Sequence, residues 1–220
     1  MAKRIAESLS PRPFRKGEFD RSNVFVVYSR KVEREIKVIG PANFDAWLLI
    51  EFDVDIINFC ERPPLDLTLM PTKEGKHRPY DFWVLHRRGG QHGLIVYDPQ
   101  LPRDGRLPVD LLKRSVAEVD RAVEIWFASD LRARSTLIRN LKQLQPYVAM
   151  DHALDRALRS QILERVNAGK EVTWSDIHQS AKLWYSGLIS AELARLIHSG
   201  NVVADLSQAP LSMSTRLTAP

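Results

Sequence analysis

His77–Gln100 reads HRPYDFWVLHRRGGQHGLIVYDPQ. Two runs rich in β-branched and aromatic residues flank Gly89-Gly90, which predicts a strand, a turn and a second strand. Asp81 lies at the head of the first run and Asp98 just beyond the second, so the pairing would set them on neighbouring strands. An antiparallel hairpin in mid-chain is the seed from which the rest of the fold is read.

Upstream, residues 24–29 (VFVVYS) are β-branched and aromatic, hence a strand. Residues 33–39 alternate charged and apolar side chains, hence another, with Gly40-Pro41 as its stop. Asn43 then takes the position of a helix N-cap, and Ala46, Trp47, Leu49 and Ile50 give that helix an apolar face. Residues 53–60 (DVDIINFC) read as a strand, followed by Pro63-Pro64. A short strand over 65–70 and a turn at Lys73-Glu74-Gly75 complete this side. Residues 1–22 form a basic arm with Arg4, Arg12, Arg15, Lys16 and Arg21 beside Pro11 and Pro13, expected to be extended or disordered when free.

Downstream, apolar residues at 109, 111, 112, 116 and 119 predict a helix over 108–122. Residues 123–127 (VEIWF) are a strand, and 129–150 a helix with Leu137, Ile138, Leu141 and Leu144 on one face. The composition changes near residue 150. Beyond it a helix spans 151–168, Val172-Thr173-Trp174 is extended, and Ser175 caps a helix with Asp176 in its first turn. A further helix covers 186–199, and 201–218 gives two short strands around a Pro-centred turn. That order is the order of a winged helix-turn-helix.

Composition bounds the function without choosing it. The chain has 220 residues, 44% hydrophobic, enough for one large or two small domains. Lys and Arg number 32 against 27 acids and the pI is about 9.4, which permits nucleic-acid binding. Cys60 is the only cysteine, which excludes an intramolecular disulfide, and its apolar neighbours Ile56, Ile57 and Phe59 predict a buried, inert thiol. With no apolar leader segment and no transmembrane-length run, a soluble cytoplasmic protein without a membrane partner is expected.

Several pieces, in this order and spacing, resemble the TnsA-type transposon endonuclease family. YSRK at 28–31 resembles its entry strand, and WLLIEFDVDIINFCERP at 47–63 its LLLEFDPDV…EQP segment. RPYDF at 78–82 resembles TPDF, EIWFASDLRARSTLIRNLKQLQPY at 124–147 the closing strand and helix, and ADLSQAPLSMSTRL at 204–217 the C-terminal wing. The resemblance runs from about Tyr28 to Leu217. It implies an α/β fold: a restriction-endonuclease-like mixed sheet flanked by helices over 23–149, then a winged helix over 150–220. It also implies a subunit of a heteromeric DNA transposition machine. The partners would be transposon-end DNA, a DDE-type transposase and an AAA+ ATPase regulator.

Phosphodiester hydrolysis in this family uses Mg²⁺ to activate water and neutralise charge, and a lysine to support the transition state. Carried over by motif, the helix Glu falls on Asn43, the Asp on Asp81, the Glu or Gln on Val96 and the Lys on Asp98. Asp81 alone matches. Val96 has no side-chain ligand, and Asp98 inverts the charge. The expectation is therefore a degenerate nuclease that needs no cofactor and works in DNA binding and assembly. Two alternatives stand beside it. One is an active endonuclease, with Mg²⁺ at Asp81 and help from Asp98, Glu51, Asp53 or Glu61. The other is a winged-helix DNA-binding regulator.

Candidate phosphate contacts are Arg12, Arg15, Lys16, Lys76, Arg78, Arg87, Arg88, Arg132 and Arg139. Arg132 and Arg139, seven apart, would share a helix face. Lys182, Arg195 and His198 are few for a recognition helix, while Trp174, Trp184 and Tyr185 offer aromatic surface for protein contact. His77, His86 and His92 lack the spacing of a closed zinc site and are expected on the surface.

Overall fold

The computed structural model describes residues 9–14, 23–64, 79–100, 108–117, 122–150, 155–168 and 171–220. The expected strand at 65–70, the turn at 73–75, and Arg15, Lys16, Lys76, His77 and Arg78 lie outside them. The chain forms two compact units, Met1–Ile50 with Asp55–Ala133, and Glu51–Val54 with Arg134–Pro220. Among the described residues no helix is long and apolar enough to cross a membrane.

The first unit is mixed α/β. Strands β1 (Val24–Ser29) and β2 (Arg34–Ile39) pair antiparallel as a sheet of two. Helix α1 (Pro41–Phe52) follows at once. Gly40, at φ 86°, makes the sharp exit from β2, and Pro41 is the first helical residue, where its missing N–H costs nothing. Gly40-Pro41 is thus a strand-to-helix junction and not only a stop. Asn43 consequently sits inside the first turn instead of capping it.

The hairpin that turns at Gly89-Gly90 is the middle of a four-stranded mixed sheet, β3 (Ile56–Glu61), β4 (Phe82–His86), β5 (Gln91–Tyr97) and β6 (Val123–Phe127), paired in that order. The first two pairings are antiparallel and β5–β6 is parallel. The β3 stretch starts later than expected because α1 runs on to Phe52. Both faces of the sheet are buried, which is why FWVL and LIVY read as continuous apolar runs. On one face Cys60, Tyr80, Trp83, Leu85, Ile95 and Tyr97 pack with Leu112 of α2 (Val109–Ala117). Gly93 leaves room for Tyr80: a Cβ there would lie 2.8 Å from the ring. Leu9 joins this core and the Arg12 N–H donates to the Arg62 carbonyl, so residues 9–14 of the arm are docked and not free.

The predicted helix over 129–150 is two helices, α3 (Ala128–Ala133) and α4 (Ser135–Ala149), broken at Arg134. The break also separates the units, so Arg132 and Arg139 do not share a helix face. In the second unit α4 is followed by α5 (Arg156–Asn167), β7 (Val172–Thr173), α6 (Trp174–Ser180), α7 (Ser186–His198), β8 (Val203–Ala204) and β9 (Arg216–Thr218). The short strands form an antiparallel sheet in the order β7-β9-β8. Thr173, and not Ser175, caps α6, closing a capping box with Asp176. Asp155 caps α5 and also accepts the Trp184 indole N–H at 2.7 Å.

Candidate functional site

Three of the four motif positions meet in the first unit. Asn43 comes from the first turn of α1, Asp81 from the residue before β4, and Val96 from the end of β5. One Asp81 oxygen accepts the Val96 backbone N–H at 2.8 Å, and the other faces the Asn43 amide nitrogen at 3.4 Å. Asn43 also donates to the Ile39 carbonyl at 2.9 Å. The Asp81 backbone is fixed as well: its N–H donates to Leu94 and its carbonyl accepts from Arg62. All three residues are buried, Asp81 to 7% exposure. Asp98, the fourth position, lies one residue past β5 and accepts the Gln100 N–H at 3.1 Å in a turn.

The arrangement does not suit a hard divalent ion. Both Asp81 oxygens face protein N–H donors, and at Val96 the chain presents a donor where a cation requires an oxygen. Among the described residues no group of three or more His, Cys, Asp and Glu side chains gathers into a metal site. The other candidate helper acids are placed differently. Glu61, 3% exposed, is gripped by both guanidinium nitrogens of Arg34 at 2.8 and 2.6 Å. That hydrogen-bonded pairing holds the Arg34 pKa above its usual value. Glu51 belongs to the second unit, where its carboxylate meets His198 at 3.0 Å. Asp53 is exposed.

Two buried polar atoms beside the centre remain unsatisfied. The Asn43 Oδ1 and, one turn on, the Trp47 indole N–H have no hydrogen-bond partner among the described residues. A buried orphan acceptor is unfavourable by about 1–3 kcal/mol. Asn43 is thus a neutral residue in a position that its own chain does not fully use.

The candidate cations differ in exposure. Arg87 and Arg88 stand exposed at the β4–β5 turn, where the Arg87 N–H donates to Asp55. Arg132 is exposed on α3, Arg12 is half-buried, and Arg139 is exposed on α4 of the other unit. Arg62 was not foreseen. Its φ of 47° is left-handed, and its guanidinium lies 3.4 Å above the Phe14 ring. The strand pattern conceals it, because only the tertiary course of the arm brings Phe14 there.

The histidine reading needs correction. His92 is buried, its ring stacked on His86 with their nitrogens 3.2 Å apart, and Glu124 lies 3.5 Å from its other nitrogen. Burial lowers its pKa, the neighbouring His86 lowers it further, and Glu124 opposes both. His92 pairs with Val84 on the face of β5 opposite Ile95 and Tyr97, and both faces are buried, which only the pairing shows. Cys60 is buried as expected, its thiol pushed up to about 12 by desolvation and by the charge of Glu61.

In the second unit α7 is largely buried from Ile189 to Ile197, while Ser186 and Gly187 at its start are exposed. Ile189, Glu192, Leu193, Arg195 and Leu196 are all covered. Arg159 meets Glu192 at 2.9 Å, and Arg195 donates to the Met150 carbonyl. Exposure concentrates instead on the α6–α7 turn, at Leu183 (88%) and Tyr185 (89%), on either side of the tethered Trp184. Trp174 is core, 6% exposed. No protein-family model and no curated protein matches this chain.

Proposed function

We propose that the chain is a TnsA-like subunit of a heteromeric DNA transposition machine whose nuclease-like unit does not cut DNA. The convergence of Asn43, Asp81 and Val96 carries the reading. These positions are far apart in sequence and meet at one point, as the motif of a restriction-endonuclease-like frame requires. The mixed order β3-β4-β5-β6 agrees with that frame, and the order α5-β7-α6-α7-β8-β9 agrees with a winged helix.

The chemistry at the centre favours assembly over cleavage. Cutting needs a metal-activated water and a cation at the scissile phosphate. Here the one matching carboxylate serves the backbone of β5, and the lysine position holds Asp98. One electrostatic contact of this kind is worth about 10²–10³ in kcat, so their joint loss removes most of the rate.

The charge distribution suggests which unit meets DNA. The second unit has ten Lys and Arg against nine Asp and Glu, leaving 22 against 18 for the first. With α7 buried beyond its first turn, the second unit offers apolar Leu183 and Tyr185 for protein contact, suited to the transposase or the ATPase regulator. The first offers Arg87, Arg88 and Arg132 to phosphates.

Incubation with transposon-end DNA, Mg²⁺ or Mn²⁺ and the partner transposase tests this. Binding without a nick is expected, as is cointegrate formation when only the transposase cuts. A nick abolished by Asp81→Ala would establish an active endonuclease. Promoter binding with no affinity for transposon ends or transposase would establish a regulator.

A further inference from the structure

Strand β6 is the last of its sheet, and its outer edge carries a second, independent surface. The Gly93 N–H of β5 donates to the Ala122 carbonyl at 3.0 Å, with Gly93 opposite Val123. In a parallel pair such bonds recur at every second residue. Glu124 and Trp126 therefore turn their backbone groups to β5. Val123, Ile125 and the Phe127 N–H turn to the edge. Among the described residues no strand pairs with that edge. Burial agrees: β5 is covered from His92 to Tyr97, whereas no residue of β6 is fully buried.

Edges of this kind are ordinarily guarded by a lysine, a proline or a bulge. The strand VEIWF has none of the three, and its register with β5 is unbroken. Its charge, Glu124, accepts the Trp126 indole N–H at 3.0 Å and lies 3.5 Å from His92. The edge-facing positions are centred on Ile125. An antiparallel copy placed by a two-fold axis there would set Ile125 against Ile125, and Val123 against Phe127 in both directions. The central pair would exchange both N–H···O=C bonds, and each Phe127 N–H would donate to the Val123 carbonyl of the other copy. Each outer pair would match an aromatic with a β-branched residue, a favourable cross-strand combination. On the opposite face Glu124 of each copy would stand against Trp126 of the other, an acceptor against an N–H donor. A two-fold interface must be self-complementary, and this strand is so on both faces.

We propose that two copies of this chain join antiparallel through β6, forming a continuous sheet β3-β4-β5-β6-β6-β5-β4-β3 about Ile125. The occupant of the edge is a second copy, because one register closes the apolar pairs and brings an indole donor to each Glu124. No like charges stand directly opposite each other in that register. A foreign strand would have to supply the donor for Glu124 itself.

Analytical ultracentrifugation of the full wild-type chain should show a concentration-dependent dimer. Ile125→Pro then probes the pairing. Proline is tolerated on an edge strand where its missing N–H faces outward, and the ladder to β5 runs through Glu124 and Trp126 instead. The substitution deletes both central bonds of the dimer. Association should weaken about tenfold or more with an unchanged circular dichroism spectrum. Cysteine crosslinking reads the register without the proline variant. In the proposed dimer the Ile125 Cα atoms lie about 5.5 Å apart, within disulfide reach of about 4.4–6.8 Å. The Val123 Cα atoms are offset by four residues, about 13 Å along the strand. Mild oxidation should convert Ile125→Cys mainly to a covalent dimer and leave Val123→Cys mainly uncoupled. The wild-type chain, whose Cys60 is buried, is the blank. A wild type that stays monomeric at every concentration, equal crosslinking of the two cysteine variants, or a dimer that folded Ile125→Pro leaves intact would overturn the proposal. Saturable pairing of the edge with a strand of the transposase in place of self-association would also overturn it.

Discussion

Two buried asparagines, Asn43 in the first unit and Asn140 in the second, do opposite things with the same side chain. Asn140 is wholly buried and fully used. Its amide nitrogen donates to the Leu206 and Ala209 carbonyls, each at 2.8 Å, and its oxygen accepts the Leu211 N–H at 2.8 Å. It ties the loop before β9 to α4. Asn43 donates to Ile39 and faces Asp81, and its oxygen is left over. A polar residue selected to hold a fold is satisfied by its own chain. Asn43 differs: it keeps a buried acceptor that its own described neighbours do not use.

The largest effect should come from Asn140→Leu. It strands two carbonyls and one N–H, each worth about 1–3 kcal/mol when left unsatisfied, so a loss of about 3 kcal/mol or more is expected. Urea denaturation should show it as a lower midpoint at unchanged slope. Asp81→Ala comes next, at about 2 kcal/mol, because the Val96 N–H and the Asn43 amide both lose an acceptor. Asn43→Leu should cost about 1 kcal/mol: the donor contacts to Ile39 and Asp81 are lost, but an orphan acceptor disappears with them. If Asn43→Leu proved as damaging as Asn140→Leu, the Asn43 oxygen must hold a buried partner, and the contrast between the two residues would collapse.

The same contrast explains what could be read in advance. Strand β1, the hairpin β4–β5 and strand β6 declare themselves through β-branched and aromatic runs, because each buries at least one face. The position of Asp81 is legible in RPYDF, and its neighbours through the resemblance alone, since no periodicity links Asn43 to Val96. What stayed hidden depended on tertiary context. The break at Arg134 has no Pro or Gly to mark it; it lies where the chain passes from one unit to the other. Arg195, counted among the few cations of a recognition helix, is buried with Glu192, and only the folded chain shows their partners, the Met150 carbonyl and Arg159.

Each unit also holds a histidine whose charge burial disfavours, and these give the smallest predicted effects. His92 is covered beside His86 and Glu124. His178 is lowered by burial alone, taking the Trp174 indole N–H at 3.1 Å with Ser186 and Ser190 nearby. In both cases the folded pKa lies below the unfolded one, about 6.5. Between the two values the unfolded chain binds more protons, so stability rises with pH. The contribution is complete above about pH 6.5 and is lost as pH falls towards the folded values. Thermal melts between neutral and mildly acidic pH should show stability falling for the wild type. His92→Gln should flatten the slope, and so should His178→Gln. Because the two sites lie in different units, their effects should add; the double variant should be flatter than either alone. A double variant no flatter than His92→Gln would mean that His178 contributes nothing in this pH range, because folding leaves its pKa where it is in the unfolded chain.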